Sequence, residues 1–424
     1  MFLFHKERKE CCGCTACMIV CPQSAISMKD DDEGFQYPHV NEAACVRCGI
    51  CKSNCPLMGE QTLKVLDTPI VYAFKHKSDA VRMSSSSGGA YTAISDFILL
   101  ENERLKTNLN NGSNQAKTIC RNTSSGVCYG AAFNKNFAVY HKSAITLDER
   151  DEFRGSKYVQ SNLGDVFFEI KKNLIDGKTV LFTGTACQTA GLSKVLAWSN
   201  IDTENLILTD IICTGVPSPK LWNEYVKFLE NKYKSKLIFF SFRYKNKGWQ
   251  GYPVRAKFEN GIIKTDSDDL RIFTKLFFSH LVLRPACYHC KFANVKRPSD
   301  ITIGDFWGIE KCLPGFEDKK GISLVIVNTS KGKVIFDKIR ECAVYEQSNI
   351  RDCSTYQHTL KHPTQLSRLR DVFWQEYYRK GFRYVACKYG GYGILGRARS
   401  FVVKVLRCLG MLPKVKKLLR RLTF

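Results

Sequence analysis

Nowhere in its 424 residues does the chain hold the roughly 18 consecutive apolar residues that a membrane-spanning helix needs. It also lacks a secretory leader, because Met1-Phe2-Leu3-Phe4 gives way at once to charge. These two absences point to the cytoplasm. Acidic residues are scarce: 40 Asp and Glu face 64 Lys and Arg, for a net charge of +24. The shortage is local. No acidic residue occurs from Tyr377 to Phe424, where thirteen basic residues carry more than half of the net charge. No recognised nucleic-acid motif accompanies that charge, so no nucleic-acid partner is expected. Disorder and fibrous architecture are excluded by a composition of 44% apolar and 12% aromatic residues. At about 150 residues per domain, the length suits two or three domains.

Cysteine is what the chain has in excess, at twenty residues. A reducing compartment keeps thiols free, so many cysteines there suggest metal ligation. Cys11, Cys14, Cys17 and Cys21 follow C-x2-C-x2-C-x3-C and precede Pro22. Cys45, Cys48, Cys51 and Cys55 repeat the spacing and precede Pro56. Three thiolates two residues apart can wrap one iron–sulfur cube, while the fourth of each run reaches the other cube. The expected sets are therefore Cys11, Cys14, Cys17 and Cys55 for one [4Fe-4S] cluster, and Cys45, Cys48, Cys51 and Cys21 for the other. Zinc is the alternative, but structural zinc sites use pairs of C-x2-4-C, a different pattern. Cys12 falls outside the spacing and reads as a bystander. Residues 5–58 resemble a bacterial-type two-cluster ferredoxin.

Beyond this module the pattern is α/β (α+β). A strand at Ile70–Phe74 leads into Ser84-Ser85-Ser86-Ser87-Gly88-Gly89 and then a helical stretch. Such a loop offers free N–H groups and a positive dipole end to phosphate, or simply a serine cap. Residues 102–126 read as an exposed loop. The apolar strand Thr179–Phe182 runs into Gly184-Thr185-Ala186-Cys187-Gln188. After a helix, the strand Leu206–Ile212 ends at Cys213, and a second helix covers about 220–234. Strand–helix–strand–helix implies a right-handed βαβ unit with parallel strands. Cys187 and Cys213 then leave the same carboxyl edge, where open α/β sheets bind ligands. Downstream come Cys287 and Cys290 as C-x-x-C, then a strand entering Gly304-Asp305-Phe306-Trp307-Gly308. That turn suits either a close backbone approach to a flat or phosphorylated group or a plain strand–turn with a core tryptophan.

The order and joint presence of several stretches resemble the beta-subunit family of coenzyme F420 hydrogenase/dehydrogenase over about 70–330. They are Ser86-Ser87-Gly88-Gly89, Gly155-Ser156-Lys157-Tyr158, Gly184-Thr185-Ala186-Cys187-Gln188, Cys213, Cys287 with Cys290, and Asp300 through Gly308. The resemblance implies a third [4Fe-4S] cluster on Cys187, Cys213, Cys287 and Cys290. It also implies FAD along Ser86, Ser87, Gly88, Gly89, Gly155, Ser156, Lys157 and Tyr158, with Gly184, Thr185, Gln188, Gly304 and Asp305. Lys157 is expected at either the flavin N1–C2 edge or a phosphate. No catalytic acid or base is assigned, and His289 is expected as a hydrogen-bonding neighbour.

The expected domains are a ferredoxin module at 1–62, a flavin and iron–sulfur domain at 63–330 with a partly parallel sheet, a helical extension at 331–376, and a basic amphipathic tail at 377–424. That tail fits either an anionic membrane at the inner face or a protein surface. The expected function is an iron–sulfur flavoprotein oxidoreductase. It would pass electrons between ferredoxin-type clusters and FAD, exchanging hydride with a small organic substrate or with coenzyme F420. A ferredoxin or another oxidoreductase is the expected redox partner. Similar fusions with a basic tail suggest a sugar-linked substrate in surface-polysaccharide metabolism. The alternative is a non-catalytic electron-transfer subunit docking to a separate oxidoreductase.

Overall fold

A computed structural model describes residues 7–59, 63–110, 126–246 and 248–393. The chain divides into two compact units, of which the first holds Met1–Lys220, Ser241–Pro253 and Leu283–Gln365.

At the start of the first unit, each cysteine run is followed by one helical turn, Ala16–Ile19 and Ile50–Ser53. An antiparallel hairpin of Ile26–Asp30 and Gln36–Val40 lies between the turns, with Ile26 opposite Val40. The repeat extends to the backbone. In the first run Gly13 and Thr15 have φ of 71° and 64°; in the second Arg47 and Gly49 have 54° and 77°. Both runs therefore bend left-handed at the same two positions, and glycine serves one of the two in each. Alternating left-handed residues coil the loop tightly enough to turn successive cysteines toward one centre.

The body of this unit is an eight-stranded mixed sheet. Its strands run across the sheet in the order Ala343–Ser348, Ile70–His76, Ser323–Val327, Ile301–Asp305, Leu206–Ile211, Val180–Thr185, Val127–Phe133 and Val139–Ala144. Four adjacent strands are parallel: Ile301–Asp305, Leu206–Ile211, Val180–Thr185 and Val127–Phe133. Val180–Thr185 and Leu206–Ile211 open with unbroken apolar runs, Val-Leu-Phe and Leu-Ile-Leu, as expected of strands covered on both faces. Val180, Leu181 and Phe182 have no exposed surface. The mixed α/β class and the parallel βαβ unit read from the sequence are both present, with helix Ala186–Trp198 as the crossover. The sheet extends past residue 330, because Ala343–Ser348 pairs with Ile70–His76. The stretch expected as a helical extension thus contributes an edge strand.

The stretch expected as a loop at 102–126 is helical in its first part. The helix that opens at Ala90, directly after Gly88-Gly89, continues to Asn110, and 111–125 lie outside the described residues.

The second unit holds Leu221–Phe240, Val254–Val282 and Leu366–Phe424. In it, Trp222 packs edge-on against Phe240 and Phe273, each at 5.0 Å between ring centroids. Helix Arg370–Lys388 is broken at Gly381, whose φ is 77°. Beyond the break Lys388 pairs with Glu376 at 2.7 Å. The amphipathic stripe of the basic tail, from Phe401 onward, lies outside the described residues. No helix among the described residues is long and apolar enough to cross a membrane.

One buried group in the first unit makes stability depend on pH. His141 stands on the strand Val139–Ala144, with Nε2 bonded to the Thr183 carbonyl at 3.1 Å and Nδ1 without a partner among the described residues. Burial pulls its imidazolium from the ordinary 6.5 down to about 4. The unfolded chain therefore takes up this proton first as pH falls. Stability from this group is complete above pH 6.5 and is lost on the way down to pH 4, with a full extent of roughly 3 kcal/mol. His141→Gln keeps a donor for Thr183 and cannot titrate. Its urea midpoint should fall less steeply than wild type between pH 6.5 and 4.5.

Candidate metal centre

The N-terminal loop and the carboxyl edge of the parallel strands meet at cysteines. Cys11, Cys14, Cys17 and Cys55 line one small cavity, together with Pro56 and Cys12. Cys55 of the second run thus stands with three cysteines of the first. Reciprocally, Cys21 of the first run acts electrostatically on Cys51, as does Cys48. The Sγ of Cys21 also accepts the Ala25 N–H at 3.4 Å. The two sets differ in depth. Cys11, Cys14 and Cys55 are 8%, 7% and 7% exposed, whereas Cys48 is open to solvent.

A second cavity of about 570 Å³ is lined by Cys187, Cys213, Cys287 and Cys290. The fold explains how positions so far apart in sequence converge. Cys187 sits in the first turn after strand Val180–Thr185, and Cys213 leaves the neighbouring strand Leu206–Ile211 two residues past its end. Cys287 and Cys290 come from the turn Pro285–His289 and its end, anchored by Val216 N–H donating to the Cys287 Sγ at 3.4 Å. Thr185 Oγ1 lies 3.2 Å from the Cys187 Sγ. Burial pushes the Cys287 thiol up to about 12 and Cys290 to about 11. These thiols hold their protons until a metal displaces them. His289 also lines this cavity.

Each cavity brings four cysteines besides Cys12 to its walls, and a four-cysteine donor set of this kind suits a [4Fe-4S] cube.

Cys12 was read from the sequence as a bystander. The structure places it on the walls of both cavities, with the thiols of Cys14 and Cys187 both near enough to act on its own. Helix Ala186–Trp198, which carries Cys187, lies against the same loop. A Cβ at Gly191 would come within 2.9 Å of the Cys14 Cβ and 3.1 Å of its Sγ.

The segments expected around a flavin also meet. Ser156 N–H donates to Ser86 Oγ at 2.7 Å, and the Ser87 hydroxyl donates to the carbonyls of Gly304 and Ile322 at 3.2 and 2.7 Å. Lys157 donates to the carbonyls of Glu152 and Arg154, and burial pulls its ammonium down to about 7. Protein neighbours account for some of the small residues. A side chain at Gly88 would strike the Phe74 carbonyl, and one at Gly304 the Ile212 side chain. Gly155, at φ 81°, faces open space. Thr185 and Gln188 close a capping box on the helix that carries Cys187, and Gln188 reaches Ser161 at 3.0 Å.

Asp305 is held by a group that sequence reasoning missed. Arg243 donates to it at 2.7 Å and to the Trp249 carbonyl at 2.8 Å, and lies 4.6 Å from the Tyr252 ring centroid. Trp249 stacks on Trp307 at 4.8 Å. No spacing links Arg243 to these partners in the sequence. Lys245, also missed, gives its three donors to the carbonyls of Arg82, Ser87 and Lys320 at 2.7, 2.5 and 2.7 Å, and so pins the serine loop.

Two family models match the chain. Residues 10–57 match the 4Fe-4S dicluster domain, and residues 177–352 match the C terminus of the beta subunit of coenzyme F420 hydrogenase/dehydrogenase. The chain is thus an iron–sulfur electron-transfer protein of the oxidoreductase class. A region that matches the dicluster domain precedes one that matches the C terminus of that beta subunit. Among solved structures, it is similar to a chain of the F420-reducing [NiFe] hydrogenase complex from Methanosarcina barkeri, studied by xenon derivatization. Identity is 17% over 76% of this chain and 96% of that one, with a TM-score of 0.44. No curated protein sequence matches.

The contact at Gly191 gives a direct test of the close packing. Gly191→Val forces a branched side chain against Cys14 and should destabilise the chain by roughly 1–3 kcal/mol. The urea unfolding midpoint measures the loss, and Gly191→Ala should lie between the variant and wild type.

Proposed function

We propose that the chain is an oxidoreductase that carries electrons inward from a solvent-facing donor to an organic hydride acceptor. The path starts at Cys45, Cys48, Cys51 and Cys21, continues through Cys11, Cys14, Cys17 and Cys55, and reaches Cys187, Cys213, Cys287 and Cys290. One observation carries this reading: Cys12 lies on the walls of both deeper cavities, between the two buried cysteine sets. Three cysteine sets in succession make a chain of stepping stones, whereas isolated structural sites would have no reason to adjoin.

Bound [4Fe-4S] clusters supply one-electron steps and bound FAD a two-electron step. The rest falls to the protein. The exposed Cys48 marks the entrance, where a ferredoxin or another oxidoreductase would dock. The buried first set keeps water from the middle of the path. For FAD, support comes from the bonds that draw Ser86, Ser87, Ser156 and Gly304 together, from the open space at Gly155, and from the start of helix Ala90–Asn110 directly after Gly89. Lys157, with an ammonium near neutrality, could hold or release a proton at Nζ beside a flavin. The acceptor class is a deazaflavin of the F420 kind or another small hydride acceptor, with a sugar-linked compound as a further candidate.

Anaerobic purification of the full chain, with assays of iron, sulfide, zinc and released flavin, tests the reading. About twelve iron, as three cubes require, and one FAD per chain are expected. Cys187→Ser should lose about a third of the iron and keep the rest. Equal iron in Cys187→Ser and wild type would remove the third site. Zinc without flavin would overturn the proposal as a whole.

A further inference from the structure

We propose that Arg284 is the positioning residue that sets the reduction potential of the buried N-terminal cluster, acting as the counter-charge to its thiolates. The inference rests on the reading of Cys11, Cys14, Cys17 and Cys55 as iron ligands.

The first unit buries five arginines. Four of them face an aspartate: Arg82 pairs with Asp318 at 2.6 Å, Arg243 with Asp305 at 2.7 Å and Arg297 with Asp210 at 2.8 Å, and Arg150 pairs with Asp96. Arg284 is the exception. It has no exposed surface, and among the described residues no carboxylate lies within ion-pair distance of it. Asp31 senses its charge but is itself paired with Arg8, at 3.3 Å.

The guanidinium spends its donors on neutral acceptors. Nε donates to the Cys11 carbonyl at 2.7 Å, Nη2 to the Gln36 carbonyl at 2.9 Å, and Nη1 to Gln160 Oε1 at 3.0 Å. Nη2 also points at the Cys11 Sγ, at 3.7 Å. Two rings cover it, with Tyr37 at 4.2 Å and Phe35 at 5.6 Å. A buried cation with no anion beside it is costly. A cube held by four thiolates carries net negative charge, and that charge would sit where Arg284 already points.

Hydrogen bonds to cluster sulfurs and nearby charge are the protein's means of setting such potentials. Reduction adds one electron and one negative charge to the cluster and breaks no bond. A fixed positive charge at the Cys11 Sγ favours the reduced form and raises the potential. Electrons arriving from the exposed cluster would settle at the buried one before moving on past Cys12.

Two variants test this on the full chain, purified without oxygen and titrated with dithionite under electron paramagnetic resonance. Arg284→Gln removes the charge. Gln160→Glu leaves the guanidinium in place and sets a carboxylate against Nη1. Both should leave one cluster at least tenfold less reduced at a fixed solution potential, equivalent to 59 mV for one electron, with the other clusters unmoved. The proposal is overturned if Gln160→Glu titrates like wild type, whether Arg284→Gln titrates like wild type or loses iron through misfolding. Arginine would then be a space-filling residue. A wild-type chain that takes up no iron would instead overturn the reading of the cysteines.

Discussion

The arrangement depends on one contact, the grip of the Arg284 side chain on the first cysteine loop. Its fork holds the carbonyls of Cys11 and Gln36 at once, and so fixes both the loop and the hairpin behind it. Arg284 N–H in turn donates to the Val216 carbonyl at 2.9 Å, and Pro217 bridges to Leu283. The segment that carries Cys287 and Cys290 is thereby tied to the loop that follows Cys213. That side chain ties the module to the sheet edge at the point where the cysteine sets adjoin. Gly13, with φ 71°, is small for the same reason, since a Cβ there would meet the guanidinium at 2.8 Å.

Depth along the proposed path then follows from packing. Cys48 of the second run faces solvent, and the first run is pressed between Gly191 of helix Ala186–Trp198 and Arg284. Burial disfavours added negative charge on a cluster, because a low-dielectric surround stabilises charge poorly. A buried middle site would therefore be the hardest of the series to reduce unless something offset the penalty. Arg284 is the cation placed to do that, and the aspartate-paired Arg297 beside the second cavity is not, since its charge is already neutralised by Asp210.

Legibility in the sequence followed the range of the interactions. The eight cysteines of the N-terminal module were readable because their geometry is local: a left-handed bend at two positions per run leaves a fixed spacing and an imprint of glycine. The parallel pair Val180–Thr185 and Leu206–Ile211 is readable from short apolar runs that lead to Gly184 and Cys213. The convergence of Cys187 and Cys213 with Cys287 and Cys290 was not a matter of spacing. It depends on the contacts of Val216 and Pro217 with Leu283, Arg284 and Cys287, which join distant segments, and only the resemblance suggested the set of four. The place of Cys12 between the two cavities left no signal, because it lies outside the repeat and is set by what stands across from it. Arg284, Arg243 and Lys245 left no signal, since their partners are carbonyls and rings scattered over the chain.

The glycines of the flavin-like segments make the same point from the other side. A glycine in a Ser–Gly loop or a Gly–Asp turn reads equally as room for a ligand or room for the protein. At Gly88 and Gly304 the protein takes the room, through the Phe74 carbonyl and Ile212. At Gly155 nothing does. Lys245 holds the serine loop down onto the sheet with three bonds, and Arg243 fixes Asp305 at the end of its strand. A rigid floor of this kind favours binding, because groups already held in place lose little freedom when a ligand arrives. The same floor lies at the carboxyl ends of the parallel strands that deliver Cys187 and Cys213. A flavin there and a cluster in the cysteine-lined cavity would share one edge of one sheet, and the electron path would need no moving part between them.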